Sequence, residues 1–217
     1  MSAETETGQA PEFENLPARL DLAAPADLDD AQRVVYDAIT GGPRASQNRL
    51  VPLTDEVGRL AGPFAVMLLS PEVGNAMQAV GAKVRFTTTL TARERELAIL
   101  TVAGELRSDF ERLAHEPAAR QTGLSQPQLN AVLTGRIPDG LTEDEALICR
   151  LARAMTARRT LSDDDYDQGL TALGHERLAT LTWLVGYYSA LALALSVFRP
   201  EVPEPMWTAY REATAGG

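Results

Sequence analysis

Along most of the chain apolar residues return every three or four positions, with short polar clusters between the runs. That is the helical period, and no segment alternates with period two over the length of a strand. Eight helices are expected. The first covers 28–40, "LDDAQRVVYDAIT", with Val34, Val35, Ala38 and Ile39 on one stripe and a stop at Gly41-Gly42-Pro43. The second runs from the Ser70 N-cap, with Pro71 at its first position, to about Phe86. A third follows the capping box Thr91-Ala92-Arg93-Glu94 and carries Leu97, Ile99, Leu100 and Val102. Ser108 starts a fourth, ending near Gly123, and Ser125 a short fifth, ended by Gly135. A second capping box, Thr142 to Glu145, opens 143–158. Ser162 to Leu173 is the seventh, and Glu176 to Phe198 the last, stopped by Arg199-Pro200. The best strand candidate, "VRFTTTL" (84–90), reads as a helix end and a turn. The expected architecture is all-α, one domain over 16–217, behind a polar, acidic tail (1–15) expected to be disordered. The stretch 41–63 is too long for a simple connection and is expected to wrap a site or a neighbouring subunit.

Composition narrows the partners. The chain of 217 residues is 45% hydrophobic and only 6% aromatic, enough for a real core and biased toward helix. Its formal charge of −10 disfavours nucleic acid. The arginines between Arg150 and Arg159 are expected to form a solvated face near a helix end. Leu178 to Phe198 carries no charge and is long enough to span a bilayer, but it holds tyrosines in mid-span. A helix buried in a bundle or an oligomer interface is expected there, with no membrane partner. The acidic N-terminus has no apolar core of a signal peptide, so a cytoplasmic protein is expected. Cys149 is the only cysteine, which excludes an intramolecular disulfide and a Cys-x-x-Cys pair; among Leu147, Ile148 and Leu151 it reads as a buried, inert thiol.

The chemistry-bearing stretch is "RSDFERLAHEP", Arg107 to Pro117. Ser108, Glu111 and His115 share one helix face. Ser108-x-x-Glu111 is also a capping-box sequence, worth about 1 kcal/mol and no chemistry, with His115 then a core or solvated histidine. Against that, Glu111 can orient the imidazole from the i, i+4 position. Glu96 lies among Leu97, Ala98, Ile99 and Leu100, at a stripe edge or buried beside a partner. Pro117 frees the carbonyl of Leu113 within the helix. Both readings stand on spacing alone.

The segment "LTARERELAILTVAGELRSDFERLAHEPAARQTGLS" (90–125) resembles the carboxymuconolactone decarboxylase family, which includes the AhpD-like alkylhydroperoxidases. "GRLAGPFAVMLLSPEVG" (58–74) and "LVGYYSALALALSVFRPEVPEP" (184–205) extend the likeness. It implies an AhpD-like helical bundle and a homo-oligomer, trimer or hexamer. The AhpD-like motif is a glutamate, then Cys-x-x-Cys-x-x-x-His. Glu96 and His115 match its ends, while Ser108 and Glu111 occupy the two cysteine positions. Without those thiols the peroxidase cycle has neither its attacking nor its resolving group. The resemblance then leans to the decarboxylase side: proton transfer on a small carboxylated or lactone substrate, with loss of carbon dioxide.

The expected site is therefore cofactor-free. His115 moves the proton, Glu111 orients it or acts as partner acid, and Glu96 completes the relay. Ser108 is expected to donate a hydrogen bond to substrate. Arg59 and Arg85 are candidate cations for an anionic substrate, and Tyr187 and Tyr188 candidate pocket walls, though all four also read as ordinary surface or core residues. One histidine with two acids is a thin ligand set for zinc, so no metal is expected. Two other readings remain: a non-catalytic ligand-binding or oligomeric scaffold, and a biosynthetic isomerase or cyclase using the same residues.

Overall fold

The computed structural model describes residues 11–14, 16–42 and 50–215. Among them the chain forms nine α-helices and no strands; Leu20–Pro200 and Thr54–Leu60 are isolated bridges. After a 3-10 turn at Pro25–Asp27 come α1 (Asp30–Thr40), α2 (Pro63–Met67), α3 (Pro71–Phe86), α4 (Ala92–Leu106) and α5 (Asp109–Gln121). α6 (Gln126–Leu133), α7 (Glu143–Arg158), α8 (Asp163–Phe198) and α9 (Glu204–Thr214) complete the order.

α4 is the centre of the bundle, packed by α5, α6, α7 and α8. Every residue from Glu96 to Ala103 is buried, so it has no solvated face. Such a helix is stable only inside a bundle, where each fully buried Leu or Ile contributes roughly 1.5–3 kcal/mol. Both expected capping boxes form. Thr91 Oγ1 accepts from the Glu94 N–H and Glu94 Oε2 from the Thr91 N–H; Thr142 and Glu145 do the same on α7. The two box glutamates also tie helices together. Arg177 of α8 donates to Glu94 at 2.6 Å, and Arg93 of α4 to Glu145 at 2.8 Å. The starts of α4, α7 and the second arm of α8 are thus locked in one place.

α4 and α5 are joined by a tight turn. Arg107 adopts left-handed backbone (φ 51°), and the N–H of Ser108 reaches back to the Ala103 carbonyl at 2.9 Å. α5 therefore packs back against α4, and its face carrying Glu111 and His115 meets Glu96. α8 bends at Gly174, whose φ of 69° and ψ of 172° only glycine adopts without strain. Its two arms are the two helices expected for 162–173 and 176–198.

Several expectations need correction. α9 was not foreseen: its segment begins among Pro200, Pro203 and Pro205, and its buried face is only Met206 and Tyr210. α2 is a further short addition. Val35 and Ile39 are buried on α1, but Val34 is 57% exposed, because α1 lies on the outside and turns a narrow stripe inward. Ser70 precedes α3 with Pro71 in place, yet its side chain makes no cap bond. Pro117 lies inside α5, as expected. Of the expected disordered tail, residues 1–10 and 15 lie outside the described residues. Phe13 is packed edge-on to Trp207 and Tyr210 at 5.0 and 5.3 Å. In the long 41–63 stretch, residues 43–49 lie outside the description, whereas Val51 and Leu53 face the site described below.

α8 is long and apolar enough to cross a membrane by length and composition. One side of it, with Leu181, Leu184, Tyr187, Tyr188 and Leu191, is core. The other side shows an uncharged stripe, Trp183, Gly186, Ala190, Leu193 and Val197, with Trp183 70% exposed.

Candidate active site

The site forms where α3, α4, α5 and α8 converge. His115 is 5% exposed and Glu96 2%. Its Nδ1 lies 2.7 Å from Glu96 Oε2 and its Nε2 3.4 Å from Glu111 Oε2. Arg85, in the last turn of α3, places Nη1 3.1 Å from His115 Nε2 and 3.3 Å from Nδ1, donates to the Tyr188 hydroxyl at 3.1 Å, and puts Nη2 3.5 Å from Glu96 Oε1. The Tyr188 ring meets the imidazole edge-to-face at 5.2 Å, and Tyr187 packs the same way on Tyr188.

Hydrogen-bond logic assigns the tautomer. A carboxylate at 2.7 Å can only accept, so Nδ1 carries a proton and donates it to Glu96. Arg85 Nη1, nearly equidistant from the two ring nitrogens, lies over the ring and on neither lone pair, and it donates to the Tyr188 hydroxyl. Nε2 faces the carboxylate of Glu111 at 3.4 Å. When Nε2 carries a proton, that carboxylate gains a donor.

Electrostatics hold this arrangement. Burial alone raises a carboxyl's pKa, but for Glu96 it is outweighed by the charge and hydrogen bond of His115, with Arg85 and Arg95 adding to the effect, and the net shift is downward. Burial works against the charge on Arg85 too. The Tyr188 oxygen, Glu96 and Glu111 reverse it and hold the guanidinium above its ordinary range. Burial is the main cause pushing the Tyr188 phenol up, so it stays protonated.

Beside His115 lies a hollow of about 30 Å³. Glu111, His115, Arg85, Tyr187 and Tyr188 line it; Glu96 does not and stands behind the ring. The rest of the wall is apolar, with Leu53, Phe64, Phe110 and Met206 among it. Phe110 reaches its place across Gly62, whose φ is 60° and where a Cβ would lie 2.1 Å from the ring. The hollow holds about one water. No group of three His, Cys, Asp or Glu side chains among the described residues is placed to hold a metal ion.

Not every expected residue arrives here. Arg59 is paired with Asp55 at 2.6 Å and faces Glu201 at 3.9 Å, away from the hollow. Asp55 captures it across a tight turn, where Asp55 Oδ1 also accepts the Arg59 N–H at 2.8 Å. Ser108 caps nothing and makes no hydrogen bond from Oγ; it lines a different depression with Arg107 and Arg112. The capping-box reading of Ser108 and Glu111 fails because Glu111 turns toward His115. Sequence reasoning missed Glu116, only 1% exposed, which accepts from Arg112 Nε at 3.1 Å and from the Tyr210 hydroxyl at 2.8 Å. The signal was present: arginines at i−4 and i+4, Arg112 and Arg120, are the usual company of a buried acid. Met206 could not be found without knowing α9.

Residues 71–154 match the carboxymuconolactone decarboxylase family. That span holds Arg85, Glu96, Glu111 and His115, while Tyr187, Tyr188 and Met206 come from beyond it. The chain is similar in fold to the crystal structure of an uncharacterized peroxidase-related protein from Silicibacter sp. TM1040, with a TM-score of 0.61 and 18% identity. The likeness covers 87% of this chain and 93% of that one. No curated protein matches.

The Glu96 shift yields a pH prediction. A carboxyl held below its ordinary value of 4.5 contributes stability that is complete above that value and is lost as pH falls through its lower, folded value. Glu96→Gln is expected to cost about 1–3 kcal/mol at neutral pH. It should also flatten the loss of stability below about pH 4.5. Urea unfolding of both proteins across that range checks it; parallel pH profiles would contradict the assigned shift.

Proposed function

We propose that the chain, which belongs to the carboxymuconolactone decarboxylase family through residues 71–154, moves a proton to and from a small carboxylated or lactone substrate through His115, without a bound cofactor. One observation carries the reading: a buried imidazole whose Nδ1 is held by Glu96 and whose Nε2 faces Glu111, lining a hollow together with Glu111 and Arg85.

Each group then has a defined task. Glu96 is a positioning residue that keeps the Nδ1 proton in place. Nε2 is the nitrogen that exchanges a proton with substrate carbon, and Glu111 stabilises the imidazolium. Arg85 and the Tyr188 hydroxyl, which line the hollow, stabilise charge on a substrate carbonyl oxygen. In a decarboxylation the carbon–carbon bond to the departing carboxylate breaks, and its electron pair forms an enolate. For this step Nε2 is protonated by solvent before the substrate binds, and the imidazolium donates that proton to the carbon and becomes neutral. An isomerisation or cyclisation would use the same proton without loss of carbon dioxide.

A thiol route has little support. Ser108 and Glu111 stand where a cysteine pair would act, and Cys149 is buried and pushed up to about 12 by that burial. One observation favours a non-catalytic scaffold: the hollow is an order of magnitude smaller than ordinary ligand pockets of about 300–1,000 Å³. Turnover therefore requires a wall to move. The uncharged stripe of α8 also supports the expected homo-oligomer, with a second copy of the chain covering it. Sedimentation should show a multimer that Trp183→Asp dissociates; a monomeric wild type would contradict this.

The functional test is release of carbon dioxide, and product analysis, across a panel of lactone acids. His115→Ala should lower turnover by about 10²–10⁴ with the fold intact. Glu111→Gln should lower it at unchanged melting temperature. An active His115→Ala protein refutes the proton-transfer role. A panel with no reaction and no exchange of substrate carbon protons with solvent supports the scaffold instead.

A further inference from the structure

The hollow beside His115 admits a water and little else, so its wall decides what reaches the imidazole. Most of that wall belongs to the body of the bundle. Leu53 and Phe64 pack against the main core, Phe110 is seated on Gly62, and Tyr187, Tyr188 and Leu191 are part of α8. Met206 is different. It comes from α9, which packs on α5. Its apolar contacts belong to a second cluster of Leu22, Val51, Ala61, Ala65, Leu113 and Tyr210, on which Phe110 also packs; Val51, Ala61 and Phe110 line the hollow too, but only Met206 lies on α9.

α9 is held to α5 by a buried polar contact. Tyr210 lies four residues after Met206, on the same face of α9. Its hydroxyl donates to Glu116, the neighbour of His115, at 2.8 Å. Arg112 pairs with the same carboxylate at 3.1 Å, and Arg120 lies at 3.7 Å. Glu116 therefore remains charge-compensated without the tyrosine, and Tyr210 is the member that reports whether α9 is docked. Between α8 and α9 the chain leaves the helix at Arg199, in left-handed backbone (φ 42°), and crosses Pro200 and Pro203. Two backbone bonds to the N-terminal segment pin this connector, Arg19 N–H to Arg199 O and Glu201 N–H to Leu20 O. The hinge is anchored, and the helix beyond it rests on one apolar cluster, with Phe13 packed on Trp207 and Tyr210, and on one polar latch.

We infer that α9 is the door of the site, with Met206 as the side chain that sets what the hollow admits and the Tyr210–Glu116 hydrogen bond as its latch. This deepens the proton-transfer reading by naming the way in. Its test does not use turnover, so the door can fail while the chemistry stands, or hold in an inert protein.

Diethyl pyrocarbonate acylates an accessible, unprotonated imidazole nitrogen and is larger than the hollow. The chain has two histidines, His115 inside and His175 exposed, so the second is an internal control. Buried Cys149 reports global unfolding through labelling by a thiol reagent. Peptide mass spectrometry should show His115 labelled far more slowly than His175 in the wild type. Tyr210→Phe keeps the ring and removes the donor. It should speed His115 labelling about tenfold, the effect of one lost hydrogen bond on an opening equilibrium. His175 and Cys149 should be unchanged, and Leu53→Ala, at another wall of the hollow, should speed His115 less than Met206→Ala does. Met206→Ala widens the gap with the latch intact and should also speed His115, which decides the matter if Tyr210→Phe exposes Cys149. Faster labelling in Leu53→Ala with no change in Tyr210→Phe or Met206→Ala would place the entrance elsewhere and overturn the inference, as would no change in any variant.

Discussion

An ionised carboxylate buried at the centre of a helical bundle is costly unless a counter-charge and hydrogen bonds meet it there. Glu96 sits on the most buried helix of this protein and meets both conditions through His115 and Arg85. The contact at 2.7 Å fixes which imidazole nitrogen holds the proton and so which one is left to act. The arrangement is mutually dependent. Arg85 needs Glu96 and Tyr188 to remain buried, and His115 needs Glu96 to hold its Nδ1 proton in place.

The scaffold delivers these groups by ordinary means. The turn at Arg107 folds α5 back on α4, the i, i+4 spacing puts Glu111 beside His115, and the end of α3 brings Arg85 over both ring nitrogens. The box glutamates Glu94 and Glu145 do double duty, as caps and as ion-pair partners between helices. A shift of α3, α4, α5 or α8 would therefore be felt at the imidazole. The outer layer is tied down differently. α9 and residues near Phe13 rest on a satellite cluster and on Glu116, whose neighbour in sequence is the histidine itself.

Much of this was legible in the chain. Helical periodicity, two capping boxes and the proline and glycine stops located eight helices, because each signal is local. Glu96, Glu111 and His115 were legible as chemistry because two are on one helix face and the third is an acid in an apolar run. The choice between Arg59 and Arg85 was not, since it depends on Asp55 capturing the first. Ser108 misled because a capping-box spacing competes with a stronger partner for Glu111. α9 escaped notice because prolines hide a helix that only packing stabilises, and with it went Met206, Tyr210 and the partner of Glu116. The size of the hollow is a tertiary quantity that no residue pattern contains.

Nitrogen-15 NMR of the two histidines tests the central contact most directly. The account predicts that Nδ1 of His115 carries a proton protected from solvent exchange, visible as a coupled N–H resonance that Glu96→Gln weakens, while exposed His175 shows no such protection. A bare Nδ1 on His115, or an Nδ1–H that exchanges as fast as that of His175, would contradict it.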